Sequence, residues 1–173
     1  MKRLLSSTLL LTLLASIPVA AQTSKASANS APGLLTAAEL KQLVPANVFF
    51  EGQTAPAQLR NSAGFRTSGG KLVFAFLVDT SGYASDVAQK YQGYVITEVP
   101  LTLEGKKIQP GSYGVGFPAD GSFHVMDVGG NDLATAPAHT DSQLHRPVPL
   151  QMIKSEGGYR VYFGRRYVQI QAE

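Results

Sequence analysis

The run Lys71-Leu-Val-Phe-Ala-Phe-Leu-Val-Asp79 constrains this chain more than any other stretch. At the two-residue period of a strand, Leu72, Phe74, Phe76 and Val78 share one face, and Val73, Ala75 and Leu77 share the other. Neither face is polar, so the strand has to be central and covered on both sides. Around it lie further β-branched and aromatic runs: VFFEGQ, LRNSAGFR closing in RTSGGK, GYVITEVPLTL, PGSYGVGF, FHVMDV, PLQMIKS, YRVYFG and RRYVQIQ. That makes about eight strands punctuated by Gly, Pro and Asp. The reversals between them are too short for helical crossovers, so the expected class is mainly β: a single antiparallel β-barrel or β-sandwich over residues 47–171, with one or two short helices. Pro100 lacks a backbone donor and marks either an edge position or a break between two shorter strands. In YRVYFG, Arg160 and Tyr162 alternate with Tyr159, Val161 and Phe163, which gives one polar and one buried face.

Two segments read as helix. Thr36-Ala-Ala-Glu39 has the spacing of a capping box and starts a short helix over 36–45, stopped by Pro45, whose Leu40, Leu43 and Val44 form a docking stripe. Ser85 is the expected N-cap of a turn or two from Asp86 to Tyr91. Upstream, residues 1–21 read as a signal peptide: Lys2 and Arg3 precede a largely apolar run, and Val19-Ala20-Ala21 offers small residues for cleavage. The strongest apolar stretch, Leu9 to Leu14, is far shorter than the roughly 20 residues of a membrane span, so no stable transmembrane segment is expected after cleavage. Residues 22–35, including TSKASANSAPG, are small and polar and read as a flexible tether. The expected destination is export to the periplasm or the extracellular space.

Composition narrows the chemistry. The chain has no cysteine, which removes disulfides and thiolate metal sites but is compatible with export. Without the leader, thirteen basic residues face twelve acidic ones, interleaved along the chain, so nucleic acid is not an expected partner. There is no dinucleotide fingerprint, cysteine redox pair or G-x-S-x-G elbow, and Ser112 belongs to a turn. Gly69-Gly70-Lys71 and Gly111 to Gly114 lack the spacing and following helix of a phosphate loop. No cofactor is called for.

The stretch 129–147 reads as a long loop carrying His139, Asp141 and His145, the candidate metal ligands of a hydrolase reading, although Pro137 and Pro147 argue against a helix that would align the two histidines. His124, between Phe123 and Val125, faces a cleft or satisfies a hydrogen bond in the core rather than serving as a base. Glu51 and Glu98 are a candidate carboxylate pair if their strands adjoin. The tyrosines are more suggestive: Tyr83, Tyr91 and Tyr94 gather around the second helix, and Tyr159, Tyr162 and Tyr167 punctuate the end. Tyrosine supplies pocket walls that are apolar yet hydrogen-bonding, and it also plugs the ends of barrels. Arg165 and Arg166 flank the last turn, where one of them is suited to a carboxylate and a surface ion pair is the ordinary role.

Taken together, VFFEGQTAPAQLRNS, LVDTSGYASDVAQKYQGYVITEVPL, IQPGSYGVGF, HVMDVGGNDL and GGYRVYFGRRYV resemble a family of uncharacterised small exported proteins found in acidobacteria, over nearly all of Val48 to Val168. The resemblance implies one exported domain and carries no functional residue to transfer. The function expected from the residues is noncatalytic binding of a small molecule or a cell-envelope component. In that reading an aromatic pocket of Tyr83, Tyr91, Tyr94, Tyr162 and Tyr167 buries the apolar part of the ligand, while Glu51, Glu98 or Arg165 orients its polar end. The alternatives are a structural module that recruits an envelope protein and a metal-dependent hydrolase built on the 129–147 loop.

Overall fold

A computed structural model describes residues 31–173; the signal peptide expected over 1–21, and the tether as far as residue 30, lie outside the described residues. In chain order the elements are β1 (Gly33–Leu34), α1 (Ala37–Leu43), β2 (Asn47–Phe50), β3 (Gln53–Arg66), β4 (Leu72–Val78), α2 (Ser85–Lys90), β5 (Gly93–Thr97), β6 (Leu101–Leu103), β7 (Lys106–Ile108) and β8 (Gly111–Gly116). They continue with β9 (Ser122–Met126), β10 (Asp132–Pro137), β11 (His139–Thr140), β12 (Gln151–Ser155), β13 (Gly158–Phe163) and β14 (Arg166–Ala172). All pairings are antiparallel, in two sheets. One is ordered β1-β3-β4-β5-β8-β9-β10 with β2 beside β3, and the other β12-β13-β14-β6-β7 with β11 beside β14. The fold is therefore mainly β and sandwich-like, and the sheets do not close into a barrel. Among the described residues no helix is long and apolar enough to cross a membrane.

The two faces of β4 explain the layering. Val73 and Ala75 join Val115, Phe123 and Val125 against Leu103, Val161, Val168 and Ile170 of the second sheet. Phe74, Phe76 and Val78 face the opposite way, where Leu40 of α1, Val48 and Phe50 of β2, and Tyr91 cover them. Each large side chain fully buried in this way contributes about 1.5–3 kcal/mol, far more than the intrinsic propensity of two short helices. The inter-sheet core is nearly filled: its cavity holds about 30 Å³ and is lined by residues such as Val115, Val125, Leu103 and Ile170.

Local rules fix the connections. Pro100 lies in a strand break that also moves the chain from one sheet to the other, between β5 and β6, with the Thr97 hydroxyl donating to the Val99 carbonyl at 2.6 Å. Glu51-Gly52 and Glu104-Gly105 close two-residue hairpins with both residues at positive φ (45° and 76°, 45° and 81°), as the twist of the flanking strands requires. Helix α1 carries the complete capping box at Thr36 and Glu39. At α2 the cap is Ala84 rather than Ser85, and it makes no side-chain hydrogen bond.

Two boundaries differ from the sequence reading. Residues 33–34, read as the end of the tether, pair with Phe65 and Arg66, because Leu35 beside them packs into the helix-side core. The 129–147 loop contains β10 and β11, leaving 141–150 as the irregular stretch. Small Ala134 and Ala136 supply the packed face of β10, too weak a signal to read as a strand, and Pro137 sits at its end.

Gly114 lies directly under the ring of Phe50, which stacks on Tyr91 at 3.9 Å; a Cβ at position 114 would meet that ring at 2.4 Å. Gly114→Ala is expected to destabilise the domain by about 1–3 kcal/mol through overpacking, read as a lower urea midpoint at unchanged slope. The Glu39 carboxylate accepts from the Thr36 N–H, the Thr36 hydroxyl and Arg66 Nη2. These donors, the Thr36 N–H foremost, hold its pKa down to about 2 from an ordinary 4.5. Its stabilising effect is therefore complete above pH 4.5 and is lost as pH falls toward 2. Amide resonances of Leu40 and Val44 are expected to move over that window in the native chain, and not in Glu39→Gln.

Candidate functional site

The outer face of the second sheet departs from an ordinary solvated surface. Tyr159, Val161 and Phe163 of β13 and Val168 and Ile170 of β14 turn into the core, which leaves Arg160, Tyr162, Tyr167 and Gln169 outside. Register sets Gln151 opposite Tyr162, Tyr162 opposite Tyr167, and Tyr167 opposite His139. These four residues form one row across β12, β13, β14 and β11, about 14 Å long at the usual strand spacing. Within it the tyrosine rings lie 5.0 Å apart, and His139 lies 5.2 Å from Tyr167. The Arg160 guanidinium sits 4.7 Å from the centre of the Tyr167 ring, an attractive cation–π contact.

The segment after β11 straps one end of this row. Although Tyr162 is on the outer face, it is only 1% exposed. Its hydroxyl donates to Asp141 Oδ2 at 3.0 Å. Arg165 Nη1 in turn donates to the Asp141 and Ser142 carbonyls at 3.2 and 3.0 Å, and the Gly164 N–H reaches the Val148 and Pro149 carbonyls. Burial pushes the Tyr162 hydroxyl pKa up, opposed by Arg160 and reinforced by Asp141. Arg160 is pushed further up, chiefly by the neighbouring Tyr162 hydroxyl, and stays charged. Two buried donors flanking Tyr162, Gln151 Nε2 and Arg160 Nε, have no acceptor among the described residues. Unmet, such groups cost about 1–3 kcal/mol each; both atoms are shielded from solvent, so a ligand's acceptor meets that need only when the side chains over them move aside.

The residues expected to share one aromatic pocket divide between two places. Tyr162, Tyr167 and Arg165 belong to the strapped row, whereas Tyr91 and Tyr94 are core side chains stacked with Phe50 and Phe76 under the helices. Tyr83 donates to the Phe50 and Gln53 carbonyls and locks the β2–β3 hairpin. A single pocket is not formed because one group lies on the outer face of the second sheet and the other packs on the helix side of the first. Glu51 and Glu98 are not a pair: Glu51 lies in a turn against Gly130, and Glu98 Oε2 accepts from the Leu72 N–H at 2.9 Å. The Glu51 turn borders a concavity of about 160 Å³ shared with Phe50, Asp86 and Lys90. His139, Asp141 and His145 do not come together as metal ligands: His139 Nε2 lies 3.4 Å from Glu104, Asp141 holds Tyr162, and no group of three His, Cys, Asp or Glu suited to a metal occurs among the described residues.

Sequence reasoning placed Arg160 on the same face as Tyr162 but missed Gln151, which only register brings opposite Tyr162. It also missed the partners of His124, which is 8% exposed with both ring nitrogens engaged: Nδ1 to Asp132 Oδ1 and Nε2 to Ser122 Oγ, each at 2.8 Å. The spacing of Ser122 and His124, two apart on one strand, was the available signal. The chain matches no protein-family model, no curated protein and no solved structure.

Tyr162→Phe removes the anchor of the strap while keeping the ring in the row. It is expected to lower stability by about 1–2 kcal/mol and to speed amide exchange selectively over residues 141–149.

Proposed function

We propose that the protein is an exported binding protein whose strapped row recognises an acidic saccharide of the cell envelope without breaking bonds in it. The observation that carries this reading is the pair of buried donors without acceptors among the described residues, Gln151 Nε2 at the end of the aromatic row and Arg160 Nε beside it. A sugar ring offers both things the surface lacks: an apolar face to lie on Tyr167, and hydroxyl and carboxylate oxygens to accept from the orphaned donors. A carboxylate on the ligand matches the charge of Arg160, which Asp141 only partly offsets. The leader pattern at 1–21 supports delivery to the periplasm or beyond, where such glycans are found. The inter-sheet cavity, at about 30 Å³, is an order of magnitude below the few hundred Å³ of ordinary small-molecule sites, which favours the surface row over an internal chamber.

Titration calorimetry with an oligosaccharide of uronic acids and with its neutral parent tests the reading. The acidic oligomer is expected to bind and the neutral one to bind at least about tenfold more weakly, with Tyr167→Ala and Arg160→Gln each costing about tenfold or more in affinity and Ser112→Ala changing nothing. Equal affinities for the two oligomers, or affinities unmoved by substitutions in the row, would overturn it.

A further inference from the structure

At the start of β9 the structure points to a second site: we propose that Ser122, His124 and Asp132 form a hydrolytic relay that cleaves small carboxylic esters, with Ser122 as nucleophile, His124 as general base and Asp132 as the group that orients it. The relay is separate from the saccharide row, because Met126 on the same face of β9 packs into the helix-side core.

Strand geometry assembles it. Ser122 and His124 are two apart on β9 and project to one face. In the register of Ala134 to Pro137, Leu133 would face Met126; a shift between Asp132 and Ala134 instead leaves Leu133 exposed and sets Asp132 opposite Met126, on the face of His124, where its carboxylate reaches His124 Nδ1 at 2.8 Å. Lys90 at the end of α2 holds the other carboxylate oxygen, Nζ to Oδ2 at 3.6 Å. Each group is thus oriented by the one behind it, the arrangement that nucleophilic catalysis requires.

Attack needs a neutral His124 and the Ser122 hydroxyl turned toward it. An ionised carboxylate only accepts, so Nδ1 carries a hydrogen; in the neutral imidazole Nε2 then presents its lone pair to Ser122 Oγ, 2.8 Å away, with Asp120 Oδ2 at 3.9 Å. Ser122 has a second acceptor in Asp120 Oδ1, which also takes the Ser122 N–H at 2.9 Å. These two donations keep the Asp120 carboxyl below its ordinary pKa, with smaller help from His124 and Lys90. The hydroxyl proton moves from Asp120 to Nε2 by rotation about Cβ–Oγ, with no heavy atom displaced. Just before Ser122, in the exposed β8–β9 turn, the Asp120 and Gly121 N–H groups donate to nothing among the described residues and are adjacent in sequence to Ser122, as donors for a developing oxyanion would be.

The reaction balances with water alone. Ser122 Oγ bonds to the ester carbonyl carbon as its proton passes to Nε2; the alkoxide leaves with that proton, giving an acyl-serine and an alcohol. Water then attacks, gives a proton to Nε2, and the acid departs as Ser122 regains its hydrogen. The open turn beside Ser122 favours small, activated acyl groups over long or branched ones.

The test treats the full exported chain with a fluorophosphonate probe, maps the label by peptide mass spectrometry and follows p-nitrophenyl acetate hydrolysis. The expected result is a label on Ser122, hydrolysis reduced at least about a hundredfold in Ser122→Ala and His124→Gln, and faster labelling in Asp120→Ala, where the competing acceptor is gone. Absence of label on the folded native chain, or hydrolysis that persists in Ser122→Ala, would overturn the proposal. The native-chain labelling decides the matter even where His124→Gln fails to fold.

Discussion

Burial of β4 on both faces is the constraint from which the remaining architecture follows. A strand with Phe74, Phe76 and Val78 on one side and Val73 and Ala75 on the other is stable only between two apolar layers, and one sheet cannot supply both. The second sheet covers one side, while α1, β2 and the turn through Tyr91 cover the other. Helix α1 has seven residues and would be marginal in water; it is held by Leu40 in that core, by its capping box and by the Arg66–Glu39 pair at 3.0 Å. The same demand makes the chain change sheets repeatedly, after β5, after β7 and after β10, so that neighbouring segments feed both layers.

Much of this was legible because it rests on short-range rules. The two-faced run, the capping box, the break at Pro100 and the polar and buried faces of YRVYFG each follow from residues within a few positions of one another. Elements that depend on distant partners were not legible. Strand β1 is two residues long and exists only through its pairing with Phe65 and Arg66, and β10 presents Ala134 and Ala136 where a readable strand would show larger residues. Whether the sheets close depends on how their edges meet. Here β7 approaches β10 through the Lys106 ammonium on the Thr135 carbonyl, a side-chain contact where a barrel would have a backbone ladder.

The candidate site divides along the same line. Grouping tyrosines by proximity in sequence joined Tyr83, Tyr91 and Tyr94, which are indeed neighbours, but nearness in sequence says nothing about whether a ring points to solvent or core. The useful surface instead draws residues 139, 151, 162 and 167 from four strands. Their registers are set by hairpin turns and by which face is buried, so a shift of one residue in β13 would send Arg160 and Tyr162 inward and dissolve the row. Arg165 was identified as a polar contact, but its guanidinium serves the strap through the Asp141 and Ser142 carbonyls.

Where function can reside then follows from the layering. The first sheet has much of both faces committed to cores, which leaves the outer face of the second sheet, the strand ends and the turns as the places where side chains can meet a ligand. The aromatic row occupies the first of these and the Ser122 relay the second. Both are built from groups whose partners a packed core could not supply: Gln151 and Arg160 retain donors without acceptors among the described residues, and the buried His124 is satisfied because the shift in β10 sets Asp132 on its face. A buried imidazole without those two partners would cost free energy with no return, so the shift and the histidine are best understood as one feature, in which the strand irregularity exists to complete the hydrogen bonding of the ring.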